Sequence, residues 1–171
     1  MPVPGAWRPA ALARSMRSRL KGVTSAPPVI LDANVLVGAG FRPESASGRL
    51  VAAVRAGALR QTWTDATRGE AEAVLDVIPP LGLPVGVFAE AGRFDGPLDT
   101  SALPAEIGNM DRALGALALA TKAPLVTSDR ALAEAARTLG ATVWSPSEAA
   151  HRLSLSVRRE TIPAEPPRGR S

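Results

Sequence analysis

The chain is 171 residues long, is 46% hydrophobic and carries a net charge of +4, which suits one packed domain with some spare chain. It has no cysteine, which excludes a disulfide scaffold, thiol catalysis and a cysteine zinc site, and fits a reducing, cytoplasmic location. Its apolar stretches fall far short of the roughly 20 residues a membrane span needs, so no membrane partner is expected.

Residues 1–28 mix Pro, Ala, Ser and Arg. They carry Arg8, Arg14, Arg17, Arg19 and Lys21 and no acid. Leu12, Met16 and Leu20 recur every fourth position, which allows a short amphipathic helix. An Arg-rich, acid-free leader also has the composition of a transit peptide. A flexible basic arm is the reading adopted, and Met16 offers a second start. The main domain is placed at 29–151.

There "PVILD" reads as a buried strand, and "SASGRLVAAVRAG" as a helix opened by Ser47 and stopped at Gly57. "LRQTW" reads as a short strand, and "TDATRGEAEAVLDVI" as a helix opened by Thr64 or Asp65. "PPLGLPVG" is a loop, "VFAEAGRF" one short helix and "DGPLDTSALPAEIG" mostly loop. "NMDRALGALALAT" is a helix with Asn109 as its cap. "PLVTS" is a strand, "DRALAEAARTLG" a helix ending at Gly140, "ATVWS" a strand and "PSEAAHRL" a last helix. Strands alternating with helices imply a parallel sheet covered on both faces. Residues 152–171 are basic and Pro-rich and read as a disordered tail. The charge is divided: the body 29–151 holds ten basic and fourteen acidic residues, while the two ends together sum to +8. Basic ends on an acidic body could steer a polyanion, or serve only solubility or targeting.

Asp32 stands out, because Val29, Ile30 and Leu31 precede it and Val35, Leu36 and Val37 follow. A carboxylate in an apolar run is costly without a partner. In a parallel α/β fold, ligands bind beyond the carboxyl ends of the strands, where strand order reverses. Asp32 ends the first strand and Asp129 follows "PLVTS", so both belong at that edge. Asp111 opens a helix that runs back to the start of the next strand, which puts its first turn there too. Glu70 is on the second turn of a helix that starts where "LRQTW" ends. Glu70 borders the apolar stripe of Thr67, Ala71, Val74, Leu75 and Ile78. Glu72 shares a face with Arg68 and is expected to be its solvated partner.

Each acid also has a structural role open to it. Asp129 could cap a helix, Asp111 could favour a helix dipole, Glu70 could be a surface residue and Asp32 could hold a turn. Jointly, four carboxylates on one edge repel and raise one another's proton affinity unless a cation joins them. No histidine or cysteine is near, and oxygen-only donors suit Mg²⁺ or Mn²⁺.

The segments "VILDANVLV", "TRGEAEAVL" and "DRALGALALATKAPLVTSDRAL" together resemble a PIN domain, over roughly residues 29–148. The resemblance implies a three-layer α/β/α fold with a central, mainly parallel five-stranded sheet. It implies a Mg²⁺- or Mn²⁺-dependent ribonuclease, with Asp32, Glu70, Asp111 and Asp129 as metal-holding and catalytic acids. It also implies that Asn34 and Thr127 orient acids or substrate. Its expected partners are RNA, a cognate antitoxin protein if the chain is a toxin, and a second copy of itself. Ribosomal RNA maturation is another role found in the family, and the 28-residue leader departs from a small toxin.

A dehalogenase-like phosphatase would need an acid where Asn34 stands. "GAGFRPESASG" lacks both a phosphate-binding lysine pattern and a dinucleotide fingerprint. A non-catalytic PIN-like RNA-binding or interaction module is the alternative from another class. His151 reads as a surface residue and Trp63 and Trp144 as core, while Trp7 is uninformative.

Overall fold

A computed structural model of the chain describes residues 26–77 and 86–155. The amphipathic leader, most of the "PPLGLPVG" loop, Ile78 and residues 156–171 of the tail lie outside the described residues.

Strand β1 (Pro28–Leu31) is followed at once by helix α1 (Ala33–Phe41), then by α2 (Ala46–Arg55) and β2 (Arg60–Gln61). Helix α3 (Asp65–Asp76) leads to a single 3₁₀ turn at Glu90–Gly92 and a long loop. Helix α4 (Asn109–Thr121), β3 (Leu125–Val126), α5 (Arg130–Thr138), β4 (Val143–Trp144) and α6 (Pro146–Arg152) complete the order. The described residues form four parallel strands in the order β2-β1-β3-β4. The four are those marked by the apolar runs of the sequence. The fifth, which came only with the family resemblance, has no counterpart among the described residues. The short helix expected from "VFAEAGRF" is the 3₁₀ turn, after which Trp63 bridges Arg93.

Alternation along β1 builds three layers. Val29 and Leu31 face one side, where Val35, Leu36 and Ala39 of α1, Leu50 and Val54 of α2, Ala71 and Leu75 of α3 and Ala149 of α6 close over them. Ile30 faces the other side and meets Leu114 and Leu117 of α4 and Leu132 and Ala136 of α5. A strand buried on both faces reads as an unbroken apolar run, which is why β1 shows no polar alternation. The arrangement is an α/β/α sandwich around a parallel sheet. Among the described residues no helix is long and apolar enough to cross a membrane.

Three local assignments change. Helix α1 was not expected, because "VLVGAG" is apolar all round and carries no helical period. Ser45, not Ser47, caps α2: its hydroxyl accepts from Gly48 N at 3.2 Å. Asn109 is inside α4 rather than its cap. Gly108 takes the cap position with extended backbone and no side-chain acceptor. The Thr64 cap of α3 stands, with Thr67 Oγ1 accepting from Thr64 N at 2.9 Å in return. Among the described residues the packed elements begin at Pro28, and Leu155 at the other end is buried.

Candidate functional site

The chain leaves β1 towards β2 on one side and later returns to β3 on the other. The crevice at which strand order reverses therefore lies off the carboxyl ends of β1 and β3. Asp32 directly follows β1. Thr127 directly follows β3, with Asp129 two residues on.

Asp32 is 5% exposed. Its Oδ2 accepts a 2.6 Å hydrogen bond from the Thr127 hydroxyl. Its Oδ1 caps α1, accepting from Asn34 N at a long 3.5 Å. The positive end of α1 adds to this, since a helix N-terminus favours an anion. Thr127 Oγ1 in turn accepts from Asp129 N at 3.0 Å. One buried hydroxyl thus ties the two strand ends together. Asp129 caps α5, with Oδ1 accepting from Leu132 N at 3.0 Å. Asn34 contributes its backbone to the Asp32 cap, and its side chain is exposed.

Asp111 and Glu70 come from helices on the same edge. Asp111 is in the first turn of α4. Partial burial raises its proton affinity, and the charges of Asp32 and Asp129 raise it further. Glu70, on α3, is raised in the same way by partial burial, then by Asp111 and Asp32. The four carboxylates therefore share one electrostatic neighbourhood. Glu72 is turned away and pairs with Arg68 at 2.7 Å.

All four acids offer oxygen, the donor type that suits Mg²⁺ or Mn²⁺. In the side-chain positions seen, no three His, Cys, Asp or Glu side chains among the described residues gather into a group that could hold a metal ion. Asp32 and Asp129 are fixed by their hydrogen bonds, whereas no hydrogen bond or ion pair to a described residue holds the Glu70 and Asp111 carboxylates. The donor chemistry fits a hard cation, and convergence on one would come from rotation of those two side chains.

Gln61 was missed in the sequence. It is buried, its Oε1 accepts from Leu31 N at 3.1 Å, and its Nε2 donates to Leu31 O at 3.4 Å. The side chain replaces a strand partner for the last residue of β1 and so holds the backbone that carries Asp32. An amide inside the otherwise strand-like "LRQTW" was the available signal. His151 is exposed, and Trp63 is buried in T-shaped contact with Phe88 at 5.7 Å. Trp144 is half-buried against the core.

Compared with known proteins, the chain matches no family model, no curated protein and no solved structure.

Proposed function

We propose that the chain is a PIN-like, Mg²⁺- or Mn²⁺-dependent ribonuclease that hydrolyses RNA phosphodiester bonds. The observation that carries this reading is that Asp32 and Asp129 follow β1 and β3 where strand order reverses, that both add to the raised proton affinity of the partly buried Asp111, and that Asp111 and Asp32 do the same to Glu70. Neighbouring negative charge disfavours the ionised forms of Glu70 and Asp111, a cost that a bound cation would relieve.

Asp32, Asp111 and Asp129 would hold the ion, which when bound acidifies water and offsets charge on the scissile phosphate. Thr127 keeps one Asp32 oxygen engaged and sets the carboxylate's angle. The half-buried Glu70, with its raised proton affinity, is suited to orient the attacking water and take its proton. The water oxygen forms the new bond to phosphorus, the P–O3′ bond breaks and O3′ takes a proton from solvent, so the products carry a 5′-phosphate and a 3′-hydroxyl.

The test is cleavage of RNA by the purified chain with Mg²⁺ or Mn²⁺, its arrest by EDTA, and its loss in Asp32→Asn by about 10²-fold or more. Cleavage by Asp32→Asn at the parent rate would sink the assignment. A second reading, a non-catalytic PIN-like RNA-binding or interaction module, is favoured by the lack of a gathered metal-holding group in the side-chain positions seen. RNA binding without cleavage at any divalent cation concentration would establish it. For an active nuclease, growth arrest on expression alone would mark a toxin with a cognate antitoxin, and harmless expression would mark RNA processing.

A further inference from the structure

A cleft of about 670 Å³ opens beside Asp129, and Thr127 and Asp129 form part of its wall. Its long side is one face of α5. Arg130, Ala133, Glu134, Arg137 and Thr138 recur at the spacing that puts residues on a single helical face. Ser128 and Ser145 add hydroxyl groups from the loops that follow β3 and β4.

Arg130 is exposed and has no hydrogen bond or ion pair to a described residue. Arg137 donates from one guanidinium nitrogen to Val143 O at 2.9 Å, which holds the group beside the first residue of β4 and leaves its other donors for a ligand. The two arginines are two helical turns apart, roughly 10 Å along the axis. No aromatic side chain lines the cleft, so bases have no stacking platform there. The space has the scale of a small-ligand site, enough for a nucleotide or two and far too small for a duplex groove.

We propose that this cleft binds the sugar-phosphate backbone of single-stranded RNA beside the scissile bond, with Arg130 and Arg137 as its phosphate contacts. The choice of RNA as ligand rests on the nuclease reading above. Arginine forks match phosphate oxygens, and the two serine hydroxyls can bond phosphate or ribose. Asp129 and Glu134 balance the two arginines in charge, so the cleft holds phosphate by placed donors rather than by a broad positive field. The cleft is therefore indifferent to base identity.

The experiment measures binding of the full chain to a fluorescent ten-nucleotide single-stranded RNA of mixed sequence, by anisotropy in EDTA, across a salt series. Arg130→Ala/Arg137→Ala should bind roughly tenfold more weakly, with a log–log salt slope shallower by about 0.7 for each lost phosphate contact. The lysine pair at the same positions should keep most of the slope, because it keeps the charges. Arg130→Ala alone, which breaks no bond within the described residues, should show about half of the change in slope and guards against a folding defect in the pair. Arg42→Ala/Arg60→Ala removes the same charge from two residues that do not line the cleft and should leave the slope near the parent's. Parent affinity and slope in the cleft variants would overturn the proposal, as would an equal loss in the Arg42/Arg60 control or equal affinity for a duplex. A cleft variant that binds like a parent still able to cut RNA refutes the cleft alone, whereas a parent that never cuts RNA refutes the nuclease reading.

Discussion

At the residue scale, the carboxylate of Asp32 is buried with partners of its own. The Thr127 hydroxyl at 2.6 Å and the first turn of α1 stabilise it, so a cation is not its only counterpart. That much was hidden in the sequence, because Thr127 lies 95 residues away and nothing local marks it as the donor. The resemblance alone pointed to Thr127 as orienting an acid. Glu70 and Glu72 were separable from periodicity: one borders the stripe of Thr67, Ala71 and Leu75, the other faces Arg68. Their environments differ accordingly, Glu70 being influenced by Asp111 and Asp32 and Glu72 by Arg68. Glu70→Gln should reduce RNA cleavage by about 10²-fold or more, the scale of a lost general base. Glu72→Gln should leave the rate near the parent's and cost well under 1 kcal/mol of stability, since exposed i,i+4 pairs are weak. Steady-state cleavage beside urea unfolding checks both, and the reverse pattern would put the wrong face of α3 toward the site.

At the scale of elements, the four strands were legible as short apolar runs and the helices α2 to α6 from a helical period or a capping residue. Helix α1 was not, since Val35, Leu36 and Ala39 are buried, while Val37 and Gly38 are half-buried. A helix wrapped by neighbours on most sides carries no amphipathic signal, and the run looks like more strand. The Trp63–Arg93 bridge was equally illegible, because it depends on a contact between backbones. A Cβ at Gly92 would lie 1.7 Å from Gln61 O, so only glycine lets the 3₁₀ turn approach the strand that carries Gln61. Gly69, exposed inside α3, has no heavy atom within 4 Å of the same built position. Gly92→Ala should therefore destabilise the fold by about 2 kcal/mol or more through forced displacement. Gly69→Ala should stabilise it by roughly 0.5–1 kcal/mol through helix propensity. Urea midpoints at equal m-values check the pair. Equal effects would mean that the turn does not pack on the strand as described.

At the scale of the whole molecule, the acid edge trades stability against the chemistry proposed for it. Glu70 and Asp111 have folded-state proton affinities above the ordinary values of 4.5 and 3.8. The native state therefore holds more protons than the unfolded chain just above those values. Stability contributed by these two groups is highest below that window and falls as pH rises through it, then stays reduced at neutrality. This trend runs opposite to that of Asp99, whose carboxyl is held below the usual range by hydrogen bonds from Ser101. The informative quantity is thus a difference between proteins rather than the parent's own pH curve. Glu70→Gln/Asp111→Asn should be more stable than the parent at pH 7 by about 0.5–1 kcal/mol, or roughly 1–4 °C in Tm. The advantage should shrink to nothing as pH falls below the ordinary carboxylate values, where the parent's two groups are protonated as well. Mn²⁺ or Mg²⁺ should raise the parent's Tm at pH 7, by the equivalent of about 2.7 kcal/mol at a hundredfold excess over the dissociation constant. It should do so far less at pH 4, and not in the double variant. Thermal unfolding at both pH values, with and without the cation, decides the matter. A double variant no more stable than the parent at pH 7 would show that the four acids do not strain the fold. A cation effect that survives in the variant would show that the ion binds elsewhere.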